Sequence, residues 1–281
     1  MISLAHAGFY GVGAYTAALL SVNYQVPFLL VLPIAMILSG VLALLVSAIA
    51  LRTIDDYFII CTLGIQAIVF ALMNNWMSLT RGPLGIPGIP GIHLFGVEIS
   101  SKQSFLLLTV FFVAVIFFLL KKLTDSSFGR TLRALSEDEI FTQSLGKNVY
   151  LSKVIAFTVS AMLAAIPGTL YAHYISYIDP TSFTVTESIF ILSIVIIGGM
   201  RNLWGCVIAA AFLVLLPEAL RFVGMPNAIA ANMRQIIYGG ILIYMMFQYS
   251  KGFGQHETKT CRVGLDVKCQ HGLRNCSEYV A

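Results

Sequence analysis

Apolar residues along this chain fall in blocks of roughly 18 to 25, the length an α-helix needs to cross about 30 Å of hydrocarbon. Reading the blocks between their polar and Gly/Pro interruptions predicts helical spans near residues 4–22, 27–51, 56–76, 104–122, 153–176, 188–200, 203–221 and 234–249. The block at 188–200 is short and ends in Gly198-Gly199, so a half-helix or re-entrant piece is expected there. The pattern is that of an all-α, polytopic transmembrane helical bundle of about eight apolar segments over residues 1–250. A polar tail over 251–281, with no capped helix or strand pattern, is expected to be disordered and dispensable.

Within the blocks a few positions stand out. Ser3, Ala7 and Gly11, then Ala14 and Ala18, repeat small residues every four positions, which lets helix backbones approach closely in lipid. His6 lies beside this stripe; it reads first as a hydrogen-bonded packing residue and second as a pathway candidate. Pro167-Gly168 inside the fifth span predicts a kink or local unwinding, serving either packing or the lining and gating of a path. Tyr171, His173 and Tyr174 follow towards one end of that span as further pathway candidates.

Composition strengthens the membrane reading. Only 11% of the 281 residues are charged and 58% are apolar, with mean hydropathy +0.86; a water-facing surface usually needs about 25% charged residues. The net charge of +4 points to no nucleic-acid partner, since no basic run with interleaved aromatics occurs. Its distribution is more informative. Lys121, Lys122, Arg130, Arg133, Lys147 and Lys153 collect in one connector, which should therefore face the cytoplasm. The next connector, 177–187, has no Lys or Arg, and counting spans both ways puts both termini inside. No basic n-region or A-x-A-like cleavage site opens the chain, so the apolar segments themselves should direct insertion.

The loop Arg81-Gly-Pro-Leu-Gly-Ile-Pro-Gly-Ile-Pro-Gly91 is too rich in proline and glycine to be helical and reads as an ordered outer structure. It is either a plain connector or a docking face for an extracytoplasmic partner. Cys61 and Cys206 lie in apolar blocks and Cys261, Cys269 and Cys276 in the tail, without a close CxxC pair. Reduced structural thiols and no metal site are expected.

Ser136-Glu-Asp-Glu-Ile-Phe-Thr-Gln-Ser-Leu-Gly146 encodes a short helix in the middle of the basic connector. Ser136 with Glu139 three residues on fits a capping box, and Glu137, Asp138 and Glu139 complement the positive end of the helix dipole. Gly146 supplies the left-handed residue that ends it. So short a helix needs a surface against which to bury Ile140, Phe141 and Leu145, on its own chain or on a partner.

Several runs resemble one family when taken in order. Ser3-Leu-Ala-His-Ala-Gly-Phe-Tyr-Gly-Val-Gly-Ala-Tyr-Thr-Ala-Ala-Leu, Phe128-Gly-Arg-Thr-Leu-Arg-Ala-Leu-Ser-Glu-Asp-Glu-Ile and Lys153-Val-Ile-Ala-Phe-Thr-Val-Ser-Ala are similar to the LivM-like branch of branched-chain amino acid ABC permeases. Leu170-Tyr-Ala-His-Tyr, Ile197-Gly-Gly and Leu216-Pro-Glu-Ala-Leu-Arg221 extend the likeness along the chain. The resemblance implies half of a heterodimeric channel in the bacterial inner membrane, completed by a second related permease subunit. It also implies two cytoplasmic ABC ATPase subunits, which would bind ATP and Mg, and a periplasmic solute-binding protein. In that family the loop matching Ser136 to Gly146 couples the channel to an ATPase. Phe141 and Thr142 stand where the family tends to carry alanine, and the family carries a further apolar segment before the position of Met1.

Other classes fit less well. The only Gly-Lys pair, Gly146-Lys147, is followed by Asn148, and the first glycine of a phosphate loop is replaced by Phe141, so no ATPase is expected in this chain. An ion-gradient-driven secondary transporter is the main alternative, but it would place carboxylates within spans. Glu218 is the nearest such group and lies three residues before Arg221, as an interfacial pair would. His256-Glu257 lacks the second histidine of a zinc protease, because Thr260 stands in its place, and no Gly-x-Ser-x-Gly elbow occurs.

Overall fold

The computed structural model describes residues 3–51, 55–94, 97–99, 101–199, 202–222 and 239–240. Ten α-helices occur among the described elements: α1 His6–Tyr24, α2 Phe28–Ala50, α3 Asp55–Asn75, α4 Met77–Thr80, α5 Lys102–Asp125, α6 Ser127–Glu137, α7 Glu139–Ser144, α8 Val149–Ile175, α9 Val185–Gly198 and α10 Leu203–Phe222. Seven of the eight expected segments are thus helical, and the eighth, at 234–249, lies outside the described residues apart from Gly239 and Gly240, which are helical. The tail 251–281 and the side chains of Glu218 and Arg221 also lie outside them.

Four described helices are long and apolar enough to cross a membrane: α2, the Tyr57–Asn75 part of α3, α5 and α8. α1, expected as a span, is helical but falls short in apolarity, because His6, Ser21, Asn23 and several glycines interrupt it. It is heavily buried within the protein, with Ala7, Ala14, Ala17 and Ala18 fully enclosed. Side chains are sorted as lipid dictates. α2 turns Ala35, Ser39, Gly40 and Ala43 inward and Leu30, Ile37, Leu45 and Ile49 outward. Small residues permit close backbone contact, while hydrocarbon accommodates the large ones. α5 carries this further, since none of its side chains is fully buried.

α1, α2 and α8 form the centre of the first of two contact-defined units, Met1–Leu192. Glycine brings α1 and α8 together: a Cβ on Gly168 would collide with the Tyr10 carbonyl, and one on Gly13 would meet the Ala165 backbone. Of the predicted stripe, Ala7, Gly11, Ala14 and Ala18 are all buried. Gly11, however, packs on Phe183 and Met73, and the backbone approach to α8 is made at Gly13 and at Tyr10. Ser39 Oγ donates to the Ala161 carbonyl at 2.9 Å and ties α2 to α8.

Of the expected kink or local unwinding at Pro167, α8 shows no unwinding; the helix is unbroken for 27 residues, about 40 Å at 1.5 Å per residue. Packing of the preceding and following turns against α1 holds the helical path, and Thr169 Oγ1 donates to the Ile166 carbonyl at 2.7 Å. The Gly/Pro loop is ordered as expected but includes one 3-10 turn, Gly82–Leu84, because Pro83 in a first turn needs no amide. After that turn, β1 Ile86–Pro87 pairs antiparallel with β4 Tyr177–Ile178, so Ile86 faces Ile178 and Pro87 faces Tyr177. β2 Ile92–Leu94 and β3 Val97–Ile99 form a second antiparallel pair.

The second unit, Ser193–Ala281, contains the end of α9 and α10. Gly199 (φ 85°) turns the chain between them, and Gly198 and Gly205 abut backbone to backbone. α9 is short, with 14 residues, as its sequence block suggested.

Candidate functional site

The connector between α5 and α8 is built from two capped helices. Ser126 caps α6, its Oγ accepting from Gly129 N at 3.3 Å. This helix was not expected; its signal is Ser126 followed by Phe128, Leu132 and Leu135 at helical spacing. The second helix, α7, begins two residues later than expected, and its cap is a different residue. Asp138 is the N-cap, its Oδ1 accepting from Phe141 N at 2.9 Å. Ser136 belongs to the last turn of α6, where its hydroxyl donates to the Arg133 carbonyl at 2.7 Å, and Glu137 ends α6. The capping-box reading of Ser136 with Glu139 is therefore corrected. Asp138, at φ −150° and ψ 114°, terminates one helix and starts the next, and a carboxylate there also opposes the dipole.

Glu139 pairs with Lys153 near the start of α8, Nζ to Oε2 at 2.6 Å. Gly146 has φ 74°, as its stop role requires. α7 presents Thr142 inward, 2% exposed, with its hydroxyl donating to the Asp138 carbonyl at 2.8 Å. It presents Ile140, Phe141 and Leu145 outward, 77%, 60% and 62% exposed. Glu139, Gln143 and Ser144 are exposed as well, so on α7 two large apolar side chains, Ile140 and Phe141, stand uncovered among polar ones.

The pathway candidates occupy the α1–α8 seam and the loop beyond it. His6 Nδ1 donates to the Ser3 carbonyl at 3.3 Å, a local packing contact. Gly168 lies in the seam, whereas Pro167 faces outward, exposed. Tyr171 hydroxyl donates to Ser182 Oγ at 3.4 Å, and its ring lies against Tyr10 and Phe183 at centroid distances of 5.7 and 6.2 Å. His173 is buried, 6% exposed; its Nδ1 donates to the Pro90 carbonyl at 2.9 Å and its ring meets the edge of Phe28. Gly88 N and Ile89 N both reach the Ser176 carbonyl, so the Gly/Pro loop is strapped to the end of α8. No local signal marks this strap, because its partners lie about ninety positions apart in the chain.

Other contacts that sequence reasoning missed hold the start of α1. Ser188 Oγ accepts from Ala7 N at 3.1 Å and so supplies the first-turn cap that Ala5 lacks, while Thr62 Oγ1 accepts from Leu4 N at 3.2 Å just before the helix. Gln66, fully buried, donates from Nε2 to the Phe183 carbonyl at 2.9 Å. Among the described residues no three His, Cys, Asp or Glu side chains converge on a metal position.

Residues 1–246 match the family described as branched-chain amino acid transport system, permease component. The high-affinity branched-chain amino acid transport system permease protein LivM of Salmonella typhimurium is 34% identical over 275 residues, covering 90% of this chain and 63% of that protein. LivM of Escherichia coli matches to the same extent. The autoinducer 2 import system permease protein LsrC of Escherichia coli is 26% identical over 215 residues, covering 74% of the chain and 60% of the relative. The chain therefore spans 63% of the length of the LivM proteins it matches. No solved structure matches it. With strap, seam and connector falling inside a match that runs from residue 1 to 246, the chain belongs to the family of branched-chain amino acid transport permease components.

Proposed function

We propose that this chain forms half of the translocation path of an ATP-driven importer in the bacterial inner membrane, with both termini cytoplasmic. The solute is a branched-chain amino acid or a similarly small polar molecule. A second related permease completes the channel, two ABC ATPases carry ATP and Mg, and a periplasmic binding protein delivers the solute. The observation that carries the reading is α7, a helix of six residues with Ile140, Phe141 and Leu145 exposed beside a basic connector. So small a helix gains stability by burying that side in a partner groove, and Ser136 to Gly146 is the segment that would enter the ATPase. Tyr171 and the outward-facing Pro167 are the pathway candidates that this arrangement favours. Gly168 and His173 hold the seam and the strap.

The test is reconstitution in proteoliposomes. The chain alone should neither hydrolyse ATP nor accumulate leucine under a proton or sodium gradient. Adding the second permease, the ATPases and the binding protein should give leucine uptake that depends on ATP. Gradient-driven uptake by the chain alone would overturn the reading in favour of a secondary carrier.

A further inference from the structure

The corner between α5 and α6 joins four cations to a bare hydrocarbon surface. Lys121 and Lys122 end α5, and Arg130 and Arg133 lie three residues apart on α6; all four are exposed. Gly129 makes the corner tight, since a Cβ there would strike the Leu123 and Thr124 carbonyls. Arg130 Nη1 donates to the Asp125 carbonyl at 3.2 Å, which folds the guanidinium back over the end of α5. Asp125 is the one carboxylate between Lys121 and Arg133, and its contact with Arg133 is long, 3.9 Å, with both side chains more than half exposed. The acidic residues of the connector lie beyond, at Glu137 to Glu139, where Glu139 already pairs with Lys153.

The apolar half of the surface is α5 itself. Its inner row, Phe105, Leu108, Phe112 and Ile116, packs against the cluster of Phe28, Ile92, Ile166 and Leu170. Its outer row, Leu107, Phe111 and Phe118, is 72%, 60% and 67% exposed. Lys122 follows Phe118 by four residues and so continues the same face. Cations at the end of a lipid-facing helix lie at headgroup depth, where each Lys or Arg adds attraction for anionic lipid.

We propose that this corner binds an anionic phospholipid, with its phosphate among Lys121, Lys122, Arg130 and Arg133 and an acyl chain along Leu107, Phe111 and Phe118. Continuity with the apolar row selects lipid over the acidic face of a soluble partner, which would meet the cations but not the hydrocarbon. The inference is independent of the transported solute and of the role of α7.

The experiment uses the full chain in nanodiscs, with Trp76→Phe and Trp204→Phe to clear the background and Phe118→Trp as the reporter. Quenching by brominated phosphatidylglycerol is compared with quenching by brominated phosphatidylcholine. The anionic phosphatidylglycerol should bind several-fold more tightly at low salt, and the preference should shrink as salt rises. Each of Lys121→Gln, Lys122→Gln, Arg130→Gln and Arg133→Gln should lower it by up to about five-fold, and the four together should bring it to parity. Helicity and elution should be unchanged; if the four-fold variant fails to reconstitute, the single variants decide. Equal quenching by both lipids in the reporter chain, or a preference that survives the substitutions, would overturn the proposal. So would abolition of the preference by millimolar inorganic phosphate, which would mark a free-anion site. Protection of the cations only after ATPase subunits are added would assign the corner to a protein partner instead.

Discussion

Lys153, in the first turns of α8, reaches 14 residues back to Glu139 at the first turn of α7, Nζ to Oε2 at 2.6 Å. The lysine side chain is 14% exposed and the carboxylate side chain 47%, so the pair is sheltered on one side only. It ties the first turn of α7 to the first turns of α8. A pair of this kind contributes about 0.5–1 kcal/mol. In the proposed importer, Lys153→Gln should therefore slow ATP-dependent uptake by about two- to five-fold without lowering the amount of protein in the membrane. Exchanging the charges with Lys153→Glu and Glu139→Lys should recover part of the loss. Uptake that is equally poor in the exchange and in Lys153→Gln would show that the contact does not position α7.

The exposed side of α7 gives a sharper prediction. Phe141 is 60% exposed in this chain, so Phe141→Asp leaves the fold intact. In a partner groove the same change buries a charge, costing several kcal/mol. Normal membrane levels, loss of ATPase subunits on mild detergent extraction and abolished uptake are expected. Gly146→Val should act the same way through the backbone, because φ 74° strains a β-branched residue although no atom lies within 4 Å of its Cβ. Wild-type uptake with retained ATPases in Phe141→Asp would reduce α7 to a connector.

The α1–α8 seam predicts a stability difference among glycines. Gly168→Ala and Gly13→Ala each drive a methyl into opposing backbone, which flexible side chains cannot relieve. Overpacking of this kind costs about 1–3 kcal/mol, or more where backbone is the obstacle. Gly64, where an added methyl would meet nothing within 4 Å, should accept alanine without loss. Thermal unfolding in detergent should separate the first two from the third, and equal midpoints would refute the close approach.

Orientation has its own measurement. From the lysine and arginine bias, Ser144 and the rest of the 121–153 connector are expected to face the cytoplasm. In a cysteine-free background, Ser144→Cys should react with an impermeant thiol reagent only in inverted vesicles. Reaction from the periplasmic side of intact cells would invert the whole topology.

Helix positions and the α7 stop are legible in the chain because both depend on neighbours in sequence. A run of apolar residues commits a segment to helix in lipid wherever its partners lie, since backbone amides have no other acceptor there. Gly146 can be read as a stop because its backbone conformation is local. The α7 start is less legible for a related reason. Ser136 and Asp138 both qualify as caps, and the choice depends on how far α6, unrecognised in the pattern, extends. The small-residue stripe announces close packing, but only the assembled bundle decides that Gly13 and Gly168 make the approach.

What the sequence by itself determined was the class: membrane helices, a basic connector and a capped helix within it. Periodicity and composition carry that information at short range. Tertiary structure decided the rest. Pro167-Gly168 is expected from sequence to kink or locally unwind α8, yet with Ala165 and Gly168 packed against α1 on either side the helix runs on without unwinding. Ile86 finds Ile178, Leu4 finds Thr62 and Ala7 finds Ser188 across 92, 58 and 181 positions. Each of these amides or strands has many candidate partners of the same chemistry. Selection among them requires the helices to be packed, because only then do particular hydroxyls and carbonyls come within hydrogen-bond reach.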